Sequence, residues 1–436
     1  MPANDVVRLV SLAPGHFHAA LVQKEMLPEV DPHVHIYAPP GDDLAAHLER
    51  LARFNSRSDR PTAWTFDVHA GPDYLERFLA ERSGNTVVIS GRNKPKPELI
   101  LAAVRNGYHV LADKPWVIDA DDFGKVEETL READRQRVVA WDVMTERHEA
   151  TTLVQRELIN EPTVFGTQIP GTAEHPGIVF ESVHFLQKTV AGKPLCRPAW
   201  WFDLRVAGEA LADVGTHLVD LSMWLTFPGQ PIDYLRDVRL IDANRWPTPV
   251  SLLAFRGMTG QTEWPPELAK DVDSEGRLNY SGNGSVTFTL RDIVVRVTTR
   301  WEVRAATGGD THLAIARGSR AAVAVRHEPE FGTEPQVFVT PVEPVSKAAI
   351  LAAIAERCRA LGPGYASTDL GDRIHVHVPT AVRTGHESHF AAVLREFVTY
   401  FKDPSLVPAW ERPNLLTKYW VTTRAVEMGR PKRLRE

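Results

Sequence analysis

Apolar positions in the first third of the chain fall into short unbroken runs separated by stretches of helical period. Val6–Leu12 (VVRLVSL) and Thr86–Ser90 (TVVIS) are largely apolar, as expected of strands buried on both faces of a parallel sheet. Residues 33–37, 64–68 and 108–112 are further predicted strands. The segments between them, 19–27, 43–54, 74–81 and 98–106, read as helices, the first stopping at Pro28 and the last at Gly107, a left-handed stop. This alternation implies βαβ units and an open, doubly wound parallel sheet with helices on both faces. Such sheets bind ligands beyond the carboxyl ends of their strands, which places 13–18, 90–94 and 113–116 on one rim.

From about Thr145 the pattern changes. Thr163–Ile169 reads as a strand, Ser182–Ala191 as a helix, and 199–203 (AWWFD) as an aromatic segment suited either to core packing or to stacking on a sugar ring. Strand-like runs follow at 235–241, 284–290, 293–299, 312–316, 321–326, 336–339 and 374–378, implying a large, mainly antiparallel open sheet. The Pro-, Gly- and charge-rich stretch 245–283 reads as a long loop. Helices are expected over 385–401 and 414–428. The α/β chain therefore divides into a Rossmann-like domain over 1–145 and a second α/β domain over 146–436.

Within this frame the stretch 208–225 (GEALADVGTHLVDLSMWL) carries the most chemistry. Asp213, His217 and Asp220, spaced by four and three, share one helical face, so an imidazole lies between two carboxylates. A carboxylate fixes the ring tautomer and moves its pKa toward the range a proton-transferring group needs. In the turn after the first strand, APGHFH, Gly15 allows close backbone approach to a pyrophosphate, whereas Ala13 and His18 stand where glycines are usual. The second predicted strand ends in YAPPGDD, with no carboxylate at the position that usually binds the adenosine ribose. His386 and His389, three apart, lack a supporting Cys or carboxylate cluster, and no metal is expected.

Composition narrows the class. The 436 residues are 43% hydrophobic and 24% charged with a net charge of −6, enough for a large core and without a basic nucleic-acid footprint. Two cysteines without CxxC spacing, Cys196 and Cys358, read as reduced, buried thiols. With no secretory pattern at the N-terminus and no long apolar run, a cytoplasmic protein without membrane contact is expected.

Two stretches together resemble the Gfo/Idh/MocA oxidoreductases. The run ILAAVRNGYHVLADKPWVID is similar to that family's helix, Gly, strand and Glu-Lys-Pro segment, with Asp113 in place of Glu before Lys114 and Pro115. GEALADVGTHLVDL resembles its Gly-Gly-x-x-x-Asp-x-Gly-x-His-x-x-Asp helix, as in a divergent branch. The resemblance implies an NAD- or NADP-dependent enzyme acting on a sugar, polyol or related hydroxy compound, and, by analogy, a homo-oligomer. It assigns Lys114, Asp213 and His217 as the catalytic set. It places Gly15, His16, Phe17, Asn93, Asp113, Lys114, Pro115 and Arg147 around the cofactor, Asn93 toward the nicotinamide ribose and Arg147 along the cofactor cleft. Two other readings use the same residues: a glycosidase that oxidises a sugar transiently, eliminates and re-reduces, and a non-catalytic dinucleotide-binding protein.

Overall fold

The computed structural model describes residues 6–190, 193–305 and 309–430. The chain forms two compact units. The first comprises 1–145 together with two later segments, 205–208 and 385–419; the second comprises the remainder.

In the first unit the elements alternate: β1 (Leu9–Leu12), α1 (His18–Leu21), β2 (His33–Ala38), α2 (Asp42–Ser56), β3 (Thr65–Ala70), α3 (Tyr74–Glu81), β4 (Thr86–Ile89), α4 (Lys96–Arg105), β5 (His109–Ala112), α5 (Phe123–Gln136) and β6 (Ala140–Asp142). The six strands lie in the order β3-β2-β1-β4-β5-β6, every pair parallel. This is the doubly wound arrangement, with the order reversing between β1 and β4. The central strands β1 and β4 are buried at every position, whereas β3, at the sheet edge, is largely exposed. Gly107 ends α4 at φ +76°, as its position predicts.

The helix expected over 19–27 is a single turn, α1. Two side chains capture carbonyls that a longer helix would use: the Trp64 indole donates to the Gln23 carbonyl at 2.7 Å and Arg57 to that of Lys24 at 2.6 Å. Pro28 could not have donated to Lys24 in any case.

The chain then continues through α6 (Ala150–Ile159), α7 (Pro162–Phe165), β7 (Ile178–Gln187), β8 (Thr189–Val190), β9 (Lys193–Pro194), α8 (Leu204–Ala207), α9 (Ala210–Thr226), β10 (Val238–Val250), α10 (Leu252–Thr259), β11 (Leu278–Leu290), β12 (Ile293–Arg304), β13 (Thr311–Arg317), β14 (Ala321–Arg326), β15 (Gln336–Pro341), α11 (Lys347–Leu361), β16 (Ala366–Asp369) and β17 (Ile374–His377). Nine strands form one sheet, β10-β11-β12-β7-β13-β14-β15-β17-β16, antiparallel except where β12 meets β7. Two helices complete the chain, α12 (His386–Lys402) and α13 (Glu411–Gly429). Phe390, Leu394 and Phe397 of α12 join the core built by Leu9, Val34 and Ile36, so this late helix belongs to the first unit.

Three expectations are corrected in the second unit. Residues 163–169 do not form a strand: Glu161 caps Thr163 N–H at 3.1 Å, Pro162 occupies the first turn and Gly166 ends it at φ +74°, so the start and stop signals of α7 override its β-branched residues. The helix expected over 182–191 is the central strand β7, where pairing on both edges prevails over local helical character; Ala191 lies outside the described residues. The loop expected over 245–283 contains the end of β10, the helix α10 and the start of β11. Pro247 and Pro249 are tolerated because β10 is an edge strand, and Ser251 caps α10 through Ala254 N–H at 3.2 Å. Both cysteines are free, but Cys196 is exposed and only Cys358 is buried. No helix among the described residues is long and apolar enough to cross a membrane.

His47, in α2, is 1% exposed, and neither ring nitrogen has a hydrogen-bond partner among the described residues. Burial, aided by the Arg50 charge, pushes its pKa down to about 3. The unfolded chain therefore takes up a proton below about pH 6.5 that the folded chain refuses, and stability falls with pH by about 1.4 kcal/mol per unit. His47→Leu should shrink the stability difference between pH 7 and pH 5 by about 2 kcal/mol, read from urea midpoints at the two pH values.

Candidate functional site

In the first unit the carboxyl ends of β1, β4 and β5 are tied to one carboxylate. Asp113, directly after β5, is 4% exposed. It accepts from His18 Nδ1 at 3.0 and 3.1 Å and from Ser90 Oγ at 2.8 Å, while His16 Nδ1 lies 3.4 Å away. Burial by itself would raise its pKa, but the charge of His18, the hydrogen bond from that ring, the proximity of His16 and the Lys96 ammonium hold it well below the usual carboxylate range. Burial, with the adjacent His18, pushes His16 down to about 3, so its ring is neutral at physiological pH. The two histidine rings lie 4.2 Å apart, and the Phe17 ring packs 4.5 Å from each.

Lys96 opens α4 fully buried and donates to Asn93 Oδ1 at 2.6 Å and to the Asp113 carbonyl at 2.9 Å. Asn93 in turn donates from Nδ2 to the Ala207 carbonyl at 2.6 Å, and the amides of Asn93 and Lys94 donate to Val206 at 3.1 and 3.0 Å. The loop after β4 thus grips 205–208, the short segment leading to Gly208, whose φ of +85° redirects the chain. Lys114 is half-buried beside Asp113 on the same rim, and its bond to Pro115 is cis.

The turn after β1 keeps a glycine-like path without its usual glycines. Ala13 lies at φ +46°, a left-handed conformation that costs a side-chain-bearing residue about 1–2 kcal/mol. Gly91 is essential to the close approach of the β4 loop, since a Cβ there would lie 2.4 Å from the Ala13 carbonyl oxygen. A Cβ on Gly15 would stand 3.2 Å from Asp43, which ion-pairs with Arg92 at 3.3 Å. The amides of Gly15 and His16 both donate to the Ser90 carbonyl, at 3.0 and 3.1 Å. They are spent on holding the turn to β4. The switch point fits a dinucleotide; the two glycines and the turn's amides set the shape of the turn.

In the second unit, α9 carries Asp213, half-buried, and His217, 8% exposed, on one face. The expected partner of His217 on the far side, Asp220, is 2% exposed and takes a bidentate pair from Arg147, Nε and Nη2 each at 2.7 Å. Arg147, expected along a cofactor cleft, anchors α9 through this pair. At the other end of the helix the buried Glu209 receives Arg245 at 3.1 Å and Arg430 at 3.2 Å.

Near Asp213 stands an aromatic box that the sequence reading did not identify. The buried Arg197 guanidinium lies 4.3 Å from the Trp201 ring centre and 5.1 Å from that of Trp301, and donates to the Leu186 and Phe185 carbonyls. Burial lowers its pKa to about 10, against the opposing charges of Tyr280, Asp310 and Asp213. Tyr280 stacks on Trp201 at 5.6 Å and its phenol is pushed up by burial, with Asp213 adding to the rise. On β7, Ser182 Oγ lies 2.8 Å from His184 Nε2, and His184 Nδ1 2.9 Å from Asp310. Trp201, left open between core and ligand, packs in the core cluster with Phe202 and Trp301.

A family profile described as "Putative oxidoreductase C terminal domain" matches residues 154–430. Among solved structures, a putative oxidoreductase from Parabacteroides merdae is 42% identical over 97% of each chain, with a TM-score of 0.94. Levoglucosan dehydrogenase in complex with NADH is 13% identical over 97% of each chain, at a TM-score of 0.58. KijD10, a 3-ketoreductase from Actinomadura kijaniata in complex with NADP and TDP-benzene, is 14% identical over 97% of this chain and 98% of its own, at 0.57. At these lower identities the likeness is one of fold. No curated protein matches the chain.

The Arg147–Asp220 pair gives a direct test of how α9 is held. Arg147→Met and Asp220→Leu should each destabilise by about 3–5 kcal/mol, since each strands a buried charge. The double variant should recover most of that loss. A double-mutant cycle on unfolding free energies measures the coupling; strictly additive losses would contradict it.

Proposed function

The chain belongs to the family described as "Putative oxidoreductase C terminal domain", of the Gfo/Idh/MocA type, and from that membership we propose that it is an NAD(P)-dependent oxidoreductase acting on a hydroxyl-bearing carbon of a sugar, polyol or related compound. One observation carries the cofactor reading: a parallel sheet whose order reverses between β1 and β4, with a close-approach turn at Gly15 and Gly91 on the rim at that reversal. Fold neighbours in complex with NADH, NAD and NADP support it. A fold neighbour solved with NADH and levoglucosan supports a sugar-like substrate.

In this reading the first unit is the dinucleotide-binding domain and the second binds substrate and mediates self-association in a cytoplasmic homo-oligomer. When bound, the nicotinamide exchanges a hydride with the substrate carbon. Gly15, His16, Phe17, Asn93, Asp113 and Pro115 shape the rim that holds it. The Lys114 ammonium donates a hydrogen bond to the reacting oxygen and stabilises negative charge there. The His217 imidazole takes the hydroxyl proton in the oxidative direction and returns it in reduction, with Asp213, one turn earlier on the same face, orienting the ring. Arg147 lines the cofactor cleft in this reading and is itself held in place by its pair with Asp220.

His217→Ala should lower turnover by about 10²–10⁴-fold, measured from the absorbance of reduced nicotinamide across a panel of free sugars and polyols. Its circular dichroism and dinucleotide affinity should match those of the parent. Undiminished turnover would remove His217 from the mechanism.

A further inference from the structure

A second set of metal-ligating side chains lies on the first unit, outside the residues assigned above. His33, His35 and Tyr37 alternate along β2 and share one face of the sheet. The parallel register sets them against Thr65, Asp67 and His69 of the edge strand β3. The pairing brings two imidazoles to one carboxylate. His33 Nε2 is 3.0 Å from Asp67 Oδ2, and His35 Nδ1 is 3.8 Å from the same oxygen.

We propose that His33, His35 and Asp67 form a binding site for a zinc-class divalent cation, with water completing the coordination. Three observations support it. Around a tetrahedral ion with bonds of about 2.0–2.2 Å, neighbouring donors lie about 3.4 Å apart, and the distances of 3.0 and 3.8 Å fall on either side of that value. His35 Nδ1 is buried and lacks a hydrogen-bond partner among the described residues, at a separation from Asp67 too long for a direct bond and suited to a shared ion. His33 Nε2–H donates to Asp67 in the ion-free chain, so the Thr65 hydroxyl donates to Nδ1 at 2.9 Å; with an ion on Nε2 the ring proton moves to Nδ1 and the same hydroxyl accepts it, an outer contact typical of ligating histidines.

The other His-His-Asp group, His16, His18 and Asp113, differs in kind. Its carboxylate is buried and joins His18 and Ser90 from two strand ends, holding the strand rim together, whereas Asp67 accepts from His33 on the neighbouring strand at the sheet edge. Asp67, by contrast, is more than half exposed, so an ion could reach it from solvent without disturbing the core. Imidazole and carboxylate donors together suit zinc and its spectroscopic substitute cobalt(II).

The test uses the full-length, tag-free chain stripped of metal and titrated with Co²⁺. One equivalent should develop the intense visible absorption of a four-coordinate ion, and Zn²⁺ should displace it. His35→Ala and Asp67→Asn should each abolish that equivalent with unchanged circular dichroism, and Thr65→Val should weaken it about tenfold. No such absorption, or its persistence in the His35→Ala/Asp67→Asn double variant, would overturn the proposal.

Discussion

The Asp113 carboxylate is the constraint on which the rest of the first unit depends. It is buried and ionised, so every lone pair must be matched, and the groups that match it come from the ends of β1 and β4. Its own carbonyl takes the Lys96 ammonium, which also holds Asn93, and Asn93 holds the segment before Gly208. One charge therefore sets the spacing of three strand ends and the path of a segment far away in sequence. A neutral amide at this position would leave two donors competing for one carbonyl oxygen.

The second unit follows the same logic at α9. The helix is buried over almost its whole length, so sliding or rotation would meet little apolar resistance. Buried charge pairs supply the register. Glu209 with Arg245 and Arg430 fixes its beginning, and Asp220 with Arg147 fixes the third turn. Asp213 and His217 lie between these two anchors. Ion pairs of this kind contribute little net stability and much positional definition.

Much of this was legible in the sequence, and the exceptions share a cause. The apolar runs of β1 and β4 and the Gly107 stop were readable because burial on both faces and a left-handed residue leave local marks. The face shared by Asp213 and His217 was readable for the same reason, being a property of one helix. The partner of Asp220 was not, because Arg147 lies 73 positions away and pairing across such a separation has no local signature. Ser182 and His184 were hidden by the helical reading of 182–191; read as a strand, ESVHF places both on one face toward Asp310. The turn at Ala13 looked degraded by composition, yet its backbone keeps the left-handed path that a glycine would take.

Dinucleotide binding on a rim organised by the Asp113 charge can be read by calorimetric titration of NADH and NADPH into the parent chain and into Asp113→Ala. The parent should bind at least one of the two at one site per chain, and the variant should remain folded but bind it at least about tenfold more weakly, a loss of about 1.4 kcal/mol. A parent chain that binds neither, or a variant with unaltered affinity, would contradict it.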